Sequence, residues 1–325
     1  MKKLVLFCSF IILPSIFVLR ANEQEDYGIY HQRVIDAETS IASENYEGAL
    51  AIYENLFRKY DFIFLREYQV ASQLAWFLNY KEKAYMYLVK GMLSGWQLKS
   101  IKRNTFLKGL RATKKWKTLK KQYPKFNEQY KSTLNEKLRV RIKKMFSKDQ
   151  WKAIGALFTF GTRAQDRYAE KKFAPHSEKQ MDEVSDVLEE YGYPGEKLIG
   201  NDFWMSTILG HHNSISQSYN QNDTLYPKLR PRLKHALKKG EISPFELALI
   251  DDWYRATKNS GETSIYGILD APTLSKLNET NALRKSVYLR PIEIRNGLIE
   301  IQNKTGMDFY LKETSWIAGK IEIEE

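Results

Sequence analysis

The chain has 325 residues, 43% of them apolar and 13% aromatic, with a formal net charge of +12. That composition excludes a disordered polymer and allows about two folded domains. A single cysteine, Cys8, excludes a disulfide framework and metal sites built from several thiolates.

Lys2 and Lys3 precede an apolar run from Leu4 to Leu19 that contains Pro14, and small and polar residues follow. This is the pattern of a secretory leader, with cleavage expected after Ala21. As a helix the run would reach about 24 Å, short of the ~30 Å of a hydrocarbon core. An uncleaved anchor is the alternative, because Leu19 stands where a small residue is usual. The expected location is the cell envelope, the periplasm or the exterior. A mature chain starting at Asn22 would hold no cysteine and so no thiol nucleophile. No later stretch is long and apolar enough to span a bilayer.

Residues 22–96 read as helical with an internal echo. Tyr46-Glu-Gly-Ala49-Leu-Ala-Ile-Tyr53 is matched by Lys81-Glu-Lys-Ala84-Tyr-Met-Tyr-Leu88. A small Ala with a large side chain four positions on resembles the second helix of tetratricopeptide repeats, whose period is about 34 residues. An ordinary pair of helical hairpins is the competing reading.

Residues 97–157 form a basic helical extension. Between Gln97 and Lys152 nineteen Lys or Arg face three acids, so the charge of the chain is polarised. Phe126, Tyr130, Leu134, Leu138 and Ile142 recur every fourth position, which predicts one helix after Pro124 with a buried stripe. Its outer surface would be cationic, and Lys114, Lys115, Lys117, Lys120, Lys121, Arg139, Arg141, Lys143 and Lys144 are the candidate binding residues. Such a surface attracts an anionic envelope polymer, an acidic lipid surface or an envelope protein. Export argues against nucleic acid. A basic face docked on acidic helices of the same chain is the structural alternative.

Residues 158–175 read as a polar, irregular linker, and residues 176–325 as a second helical domain. Ser177-Glu-Lys-Gln180 predicts a helix start, and Gly192-Tyr193-Pro194-Gly195 a stop. Further helices are expected over 201–212 and from Pro227 to Gly240. Ser243-Pro244-Phe245-Glu246 opens another with cap, first-turn proline and reciprocal Glu. "PIEIRNGLIEIQ" fits either a hairpin around Asn296-Gly297 or a short helix ending at Gly306.

On the helix starting at Pro244, Asp252 shares the inward face with Phe245, Ala248 and Leu249, while Asp251 points to a flank. Met205, Ile208, Leu209 and His212 follow i, i+3, i+4, i+7, so His212 faces inward and His211 turns toward Trp204. A buried carboxylate needs a partner. The expectation is therefore that His212 and Asp252 meet, with Asp252 orienting a general base and Tyr266 nearby as the third catalytic candidate. His211, Trp204 and Arg255 are candidates for binding in the same pocket. A hydrogen-bonded core histidine is the bland alternative. No H-E-x-x-H, phosphate-cradling glycine loop or dinucleotide fingerprint occurs, so neither metal nor cofactor is expected.

Gly192-Tyr193-Pro194, Gly200, His212, Gly240-Glu241, Asp252 and Tyr266-Gly267 resemble, in that order, a bacterial family carrying G-W-P, Gly, Q-H, D-R and Y-G-T-Q. The likeness covers residues 176–310 and extends to Pro291 and Gly306-Met307. It implies a mostly helical domain, favours the helix over the hairpin near Asn296, and brings no activity with it. His211 replaces the family's Gln, Trp253 its Arg, and Ile268-Leu269 its Thr-Gln, which points to a divergent or inactive copy of that family's site. The sequence as a whole reads as a mainly α protein in two parts. Its leading expected role is binding in the envelope, and a hydrolase using His212 and Asp252 is the alternative.

Overall fold

Asp26 begins the described chain by capping a helix, its Oδ1 accepting the Gly28 N–H at 2.8 Å. The computed structural model describes residues 26–259, 266–312 and 319–323, so the expected leader lies outside the described residues. Within them the chain is mainly α, and no strand occurs among the described residues. No helix there is long and apolar enough to cross a membrane.

Helix α1 (Tyr27–Ala42) packs on α2 (Tyr46–Lys59), and α3 (Leu65–Phe77) on α4 (Lys81–Leu93), giving two successive helical hairpins. The echoed segments open α2 and α4. Ala49 and Ala84 are fully buried there, with Tyr53 and Leu88 one turn on, because a methyl side chain lets crossing helices approach closely.

After the short α5 (Leu98–Arg103) and α6 (Lys108–Arg111), α7 (Lys114–Thr133) packs on α4. The four-residue stripe does not lie on one helix. The chain turns extended at Leu134, and Asn135 caps a new helix, α8 (Glu136–Ile154), by accepting the Leu138 N–H at 3.0 Å. Periodicity passes over such a break because both sides keep phase; the Asn cap was the available signal. Phe126 accordingly packs against one core and Leu138 and Ile142 against another.

The stretch expected to be irregular is largely helical: α9 (Thr162–Tyr168) runs through a π-turn at Ala169–Phe173 into α10 (Ala174–Glu190). Pro175 suits the first turn, so α10 starts before Ser177, which becomes an interior position instead of a cap. Then follow α11 (Glu196–Ile199), α12 (Trp204–Asn213), α13 (Gln217–Asn222), α14 (Leu225–Lys238) and α15 (Pro244–Lys258). Ser243 and Glu246 form the reciprocal cap at the start of α15. Gly240 stops the preceding segment with φ 68°, a conformation that favours glycine.

The chain continues with α16 (Leu277–Ser286) and α17 (Ile292–Thr305). The hairpin alternative does not form: Ile292, Leu298 and Ile299 are buried along α17, and Gly306 ends it in the left-handed region. Asn296 caps nothing. From mid-helix it donates to Ile321 O and accepts from Ile321 N, at 2.9 and 2.8 Å. Gly297 marks the contact of α17 with α1, since a Cβ there would stand 3.0 Å from Ala42 Cβ.

Two large hydrophobic clusters result. One joins α1 to α7 and is completed by Leu298, Ile301, Met307 and Phe309. The other joins α8, α10, α12, α14 and α15 with Val287 and Leu289. Each buried Leu or Ile removes surface worth ~1.5–3 kcal/mol. A cleft lies between elements of the two clusters.

Candidate functional site

His212 is fully buried, as are Met205, Ile208 and Leu209 of the same face. Its polar partners are not the expected ones. Nδ1 lies 2.9 Å from Ser177 Oγ, and Nε2 lies 3.5 Å from Asp223 Oδ1, beyond close hydrogen-bond range. Asp252 is not among them. That carboxylate is also fully buried, and it accepts the Tyr266 and Ile268 N–H groups at 2.8 and 3.0 Å, tying α15 to the following loop. A helical wheel tells which way a side chain faces but not which neighbour it meets there. Ser177, His212 and Asp223 have the composition of a nucleophilic relay, yet Ser177 is 1% and His212 0% exposed. Asp223 meanwhile accepts the first N–H groups of α14, so the trio cross-links α10, α12 and α14 instead of facing a substrate.

Asp251, expected on a flank, is 1% exposed. It accepts Arg230 Nε and Nη2 at 2.8 and 2.6 Å, the Tyr266 hydroxyl at 3.1 Å, and the Tyr226 hydroxyl. The wheel misplaced it because α15 is covered on more than one side, by α12, α13 and α14. Tyr266 therefore serves this hub. His211 Nδ1 is 2.5 Å from buried Asp149 Oδ2, Trp204 stacks on Phe146, and Arg255 is half-buried on α15; none of the three lines the cleft.

The cationic candidates divide. Lys115 pairs with Glu82, Arg139 with Asp202 at 2.6 Å, and Arg141 approaches Glu190 at 3.7 Å. Arg139 also lies 4.7 Å over the Trp204 ring. Lys114, Lys117, Lys120, Lys121, Lys143 and Lys144 are exposed.

The cleft was not foreseen. It encloses about 260 Å³ between α1 and α3 on one side and the starts of α12 and α15 on the other. Glu38 is held by two arginines: Arg66 Nη1 donates to Oε1 and Arg290 Nε to Oε2, both at 2.6 Å. Arg66 Nε also donates to Phe309 O at 2.9 Å. Glu196 Oε1 accepts the N–H of Leu65, the first residue of α3, at 2.6 Å. Glu246 accepts from Ser243 and, at 3.3 Å, from the Tyr193 hydroxyl. Lys312 Nζ sits 4.2 Å over the Phe203 ring and makes no ion pair among the described residues. Beside Arg290 and Lys312 the cavity meets a smaller one walled by Arg284 and Arg295. Arg284 donates to Arg290 O and Tyr266 O at 2.6 and 2.5 Å, and Arg295 to Gly319 O.

Among the described residues, two buried polar atoms that belong to cleft-lining side chains have no hydrogen-bond partner, His31 Nε2 and Glu67 Oε2. Burial lowers the His31 pKa to about 3, so its imidazole is neutral. Burial likewise raises Glu67 to about 7 against the pull of Arg66, and Glu196 to about 8, helped by Glu67 and Glu246. Glu246 is raised by burial as well. Glu38 is the exception: burial pushes it up, but Arg290 and Arg66 outweigh that and hold it below the usual value. Burial lowers Lys312, and lowers Arg284 to about 9 with Arg290 and Arg295 adding to the effect. Near neutral pH the cleft therefore presents several cations, one firmly ionised carboxylate in Glu38, a Glu67 near its midpoint and a largely protonated Glu196.

Among the described residues no group of three or more His, Cys, Asp or Glu is disposed to hold a metal ion. The scattered origin of the cleft residues hid it from the sequence. The acids in the first turns of α3 and α15 look there like ordinary helix starts. No protein-family model, curated protein or solved structure matches the chain.

Proposed function

We propose that this chain is an exported binding protein whose cleft receives a small ligand carrying a carboxylate or phosphate group. The observation that carries the reading is the pair of unpartnered buried atoms, Glu67 Oε2 and His31 Nε2, on side chains that line a cleft rimmed by Arg66, Arg290 and Lys312. Buried polar groups are nearly always paired, and two unpaired ones on the walls of one cavity are a reason to look for a partner there. Its 260 Å³ sits at the small end of ligand pockets, which run from ~300 Å³ upward. Arg290 and Lys312 would seat the anionic group, protonated Glu67 and Glu196 would donate to its oxygens, and Phe203 and Phe245 would cover an apolar portion. Export rests on the leader-like residues 1–21.

The test is calorimetric titration of the purified chain with a panel of small carboxylates and phosphate esters. Lys312→Gln, which breaks no ion pair, should weaken binding about tenfold while leaving thermal unfolding unchanged. Binding should also weaken as pH rises through 7 to 8, because ionised Glu67 and Glu196 would repel the anion. The reading fails if no anion binds, or if Lys312→Gln binds as tightly as the parent.

A second reading, acid–base catalysis, is favoured by one observation: two glutamic acids with pKa values of about 7 and 8 border the same cavity. Under it, Glu196→Gln would abolish turnover of a bound ligand while retaining affinity.

A further inference from the structure

The end of α8 and the turn that follows carry a group of exposed apolar side chains. Trp151 is 77% exposed, Ile154 39%, Phe158 77% and Phe160 93%. Soluble surfaces scatter single exposed apolar residues, but four within ten positions at one corner are a patch with a purpose. Lys148, Lys152, Arg163, Arg167, Lys171 and Lys172 lie in the same stretch, all exposed and, among the described residues, in no ion pair. Phe160 and four of these cations also border a shallow open groove. The acids nearby cancel little of this charge. Asp149 is buried against His211, Glu170 is exposed but accepts hydrogen bonds from Ser216 and Ser218, and Asp166 is exposed as well, two acids against six cations.

We infer that this corner docks the protein on an anionic lipid bilayer, with Trp151, Ile154, Phe158 and Phe160 entering the interface and the surrounding cations meeting headgroup phosphates. Trp and Phe favour the boundary between headgroups and acyl chains. Each cation near an acidic leaflet strengthens the attraction, and the open groove suits a phosphate. A nucleic acid would use the rings as stacking platforms along a groove, whereas Ile154 offers no ring and the apolar residues form a tip. The cleft reading is independent of this one, since the two regions share no residue.

The experiment is co-sedimentation of the full chain with phosphatidylcholine vesicles, with and without phosphatidylglycerol. Binding is expected only to the acidic vesicles. Phe160→Asp, or Trp151→Ala with Phe158→Ala, should reduce it at least about tenfold. Arg163→Gln with Lys171→Gln and Lys172→Gln should do the same, while Lys99→Gln with Lys102→Gln, exposed on α5, should change it less than twofold. Unchanged thermal unfolding establishes that these exposed substitutions leave the fold intact. The inference is overturned if the chain ignores acidic vesicles. It is equally overturned if Phe160→Asp binds as the parent does, or if a single-stranded oligonucleotide is bound in preference and displaces the vesicles.

Discussion

Glu67→Gln isolates the electrostatic cost built into the cleft. Glu67 is 5% exposed, and burial lifts its carboxyl from 4.5 to about 7 even with Arg66 alongside. A group whose folded pKa is raised gives its full stability below the unfolded value and loses it as pH climbs through the folded value. For Glu67 that loss runs from pH 4.5 to about 7 and is complete above it. At about 1.4 kcal/mol per pH unit the ceiling is about 3.5 kcal/mol, and local relaxation brings the expected effect to about 1–3 kcal/mol. Glutamine mimics the protonated acid in shape and donor capacity. The variant should therefore match the parent near pH 5 and exceed it by about 1–3 kcal/mol near pH 8.5, read as the urea midpoint with m unchanged. An offset of the same size at both pH values would refute the reasoning, because it would mean the carboxyl does not titrate in this window.

Other expectations follow from contacts elsewhere. Asp252→Ala strips the Tyr266 and Ile268 N–H groups of their acceptor and should lower stability by about 2–4 kcal/mol, with Asp252→Asn recovering part of it; a midpoint shift of a few tenths would contradict this. Asp251→Asn, which breaks the Arg230 fork and weakens two tyrosine contacts, should cost about 2–4 kcal/mol, less than a fully buried pair because Arg230 retains some solvent. Gly297→Val should cost about 1–3 kcal/mol in thermal or urea unfolding, since a Cβ there meets Ala42 at 3.0 Å. In an open helix the same replacement of glycine would be neutral or favourable.

The helical architecture was legible because local signals are carried by neighbouring residues. The Ser243 cap, the Gly240 and Gly306 stops, and the inward face of Met205, Ile208 and His212 each occupy one short window. What escaped depends on distance in the chain. His212 meets Ser177 and Asp223 because three helices converge there, and no periodicity encodes a convergence. The cleft draws on His31, Glu67, Glu196, Arg290 and Lys312, residues that share no motif and become a site only through packing. The break at Asn135 was readable in principle from its capping chemistry, but the uninterrupted apolar phase on either side concealed it.

The closure of the first hydrophobic cluster by Leu298, Ile301, Met307 and Phe309 sets the timetable of biosynthesis. Arg66 and Gln73 also bind backbone groups of Phe309 and Asp308, so the early hairpins hold an unfilled seam until α17 and the residues just after it have been made. At ~5–20 residues per second, translation from Leu119 to Leu298 occupies roughly ten to forty seconds. Throughout that interval the nascent chain presents an adhesive strip that a holdase would shield, and a ribosome stalling before the final helix would release a product prone to clump.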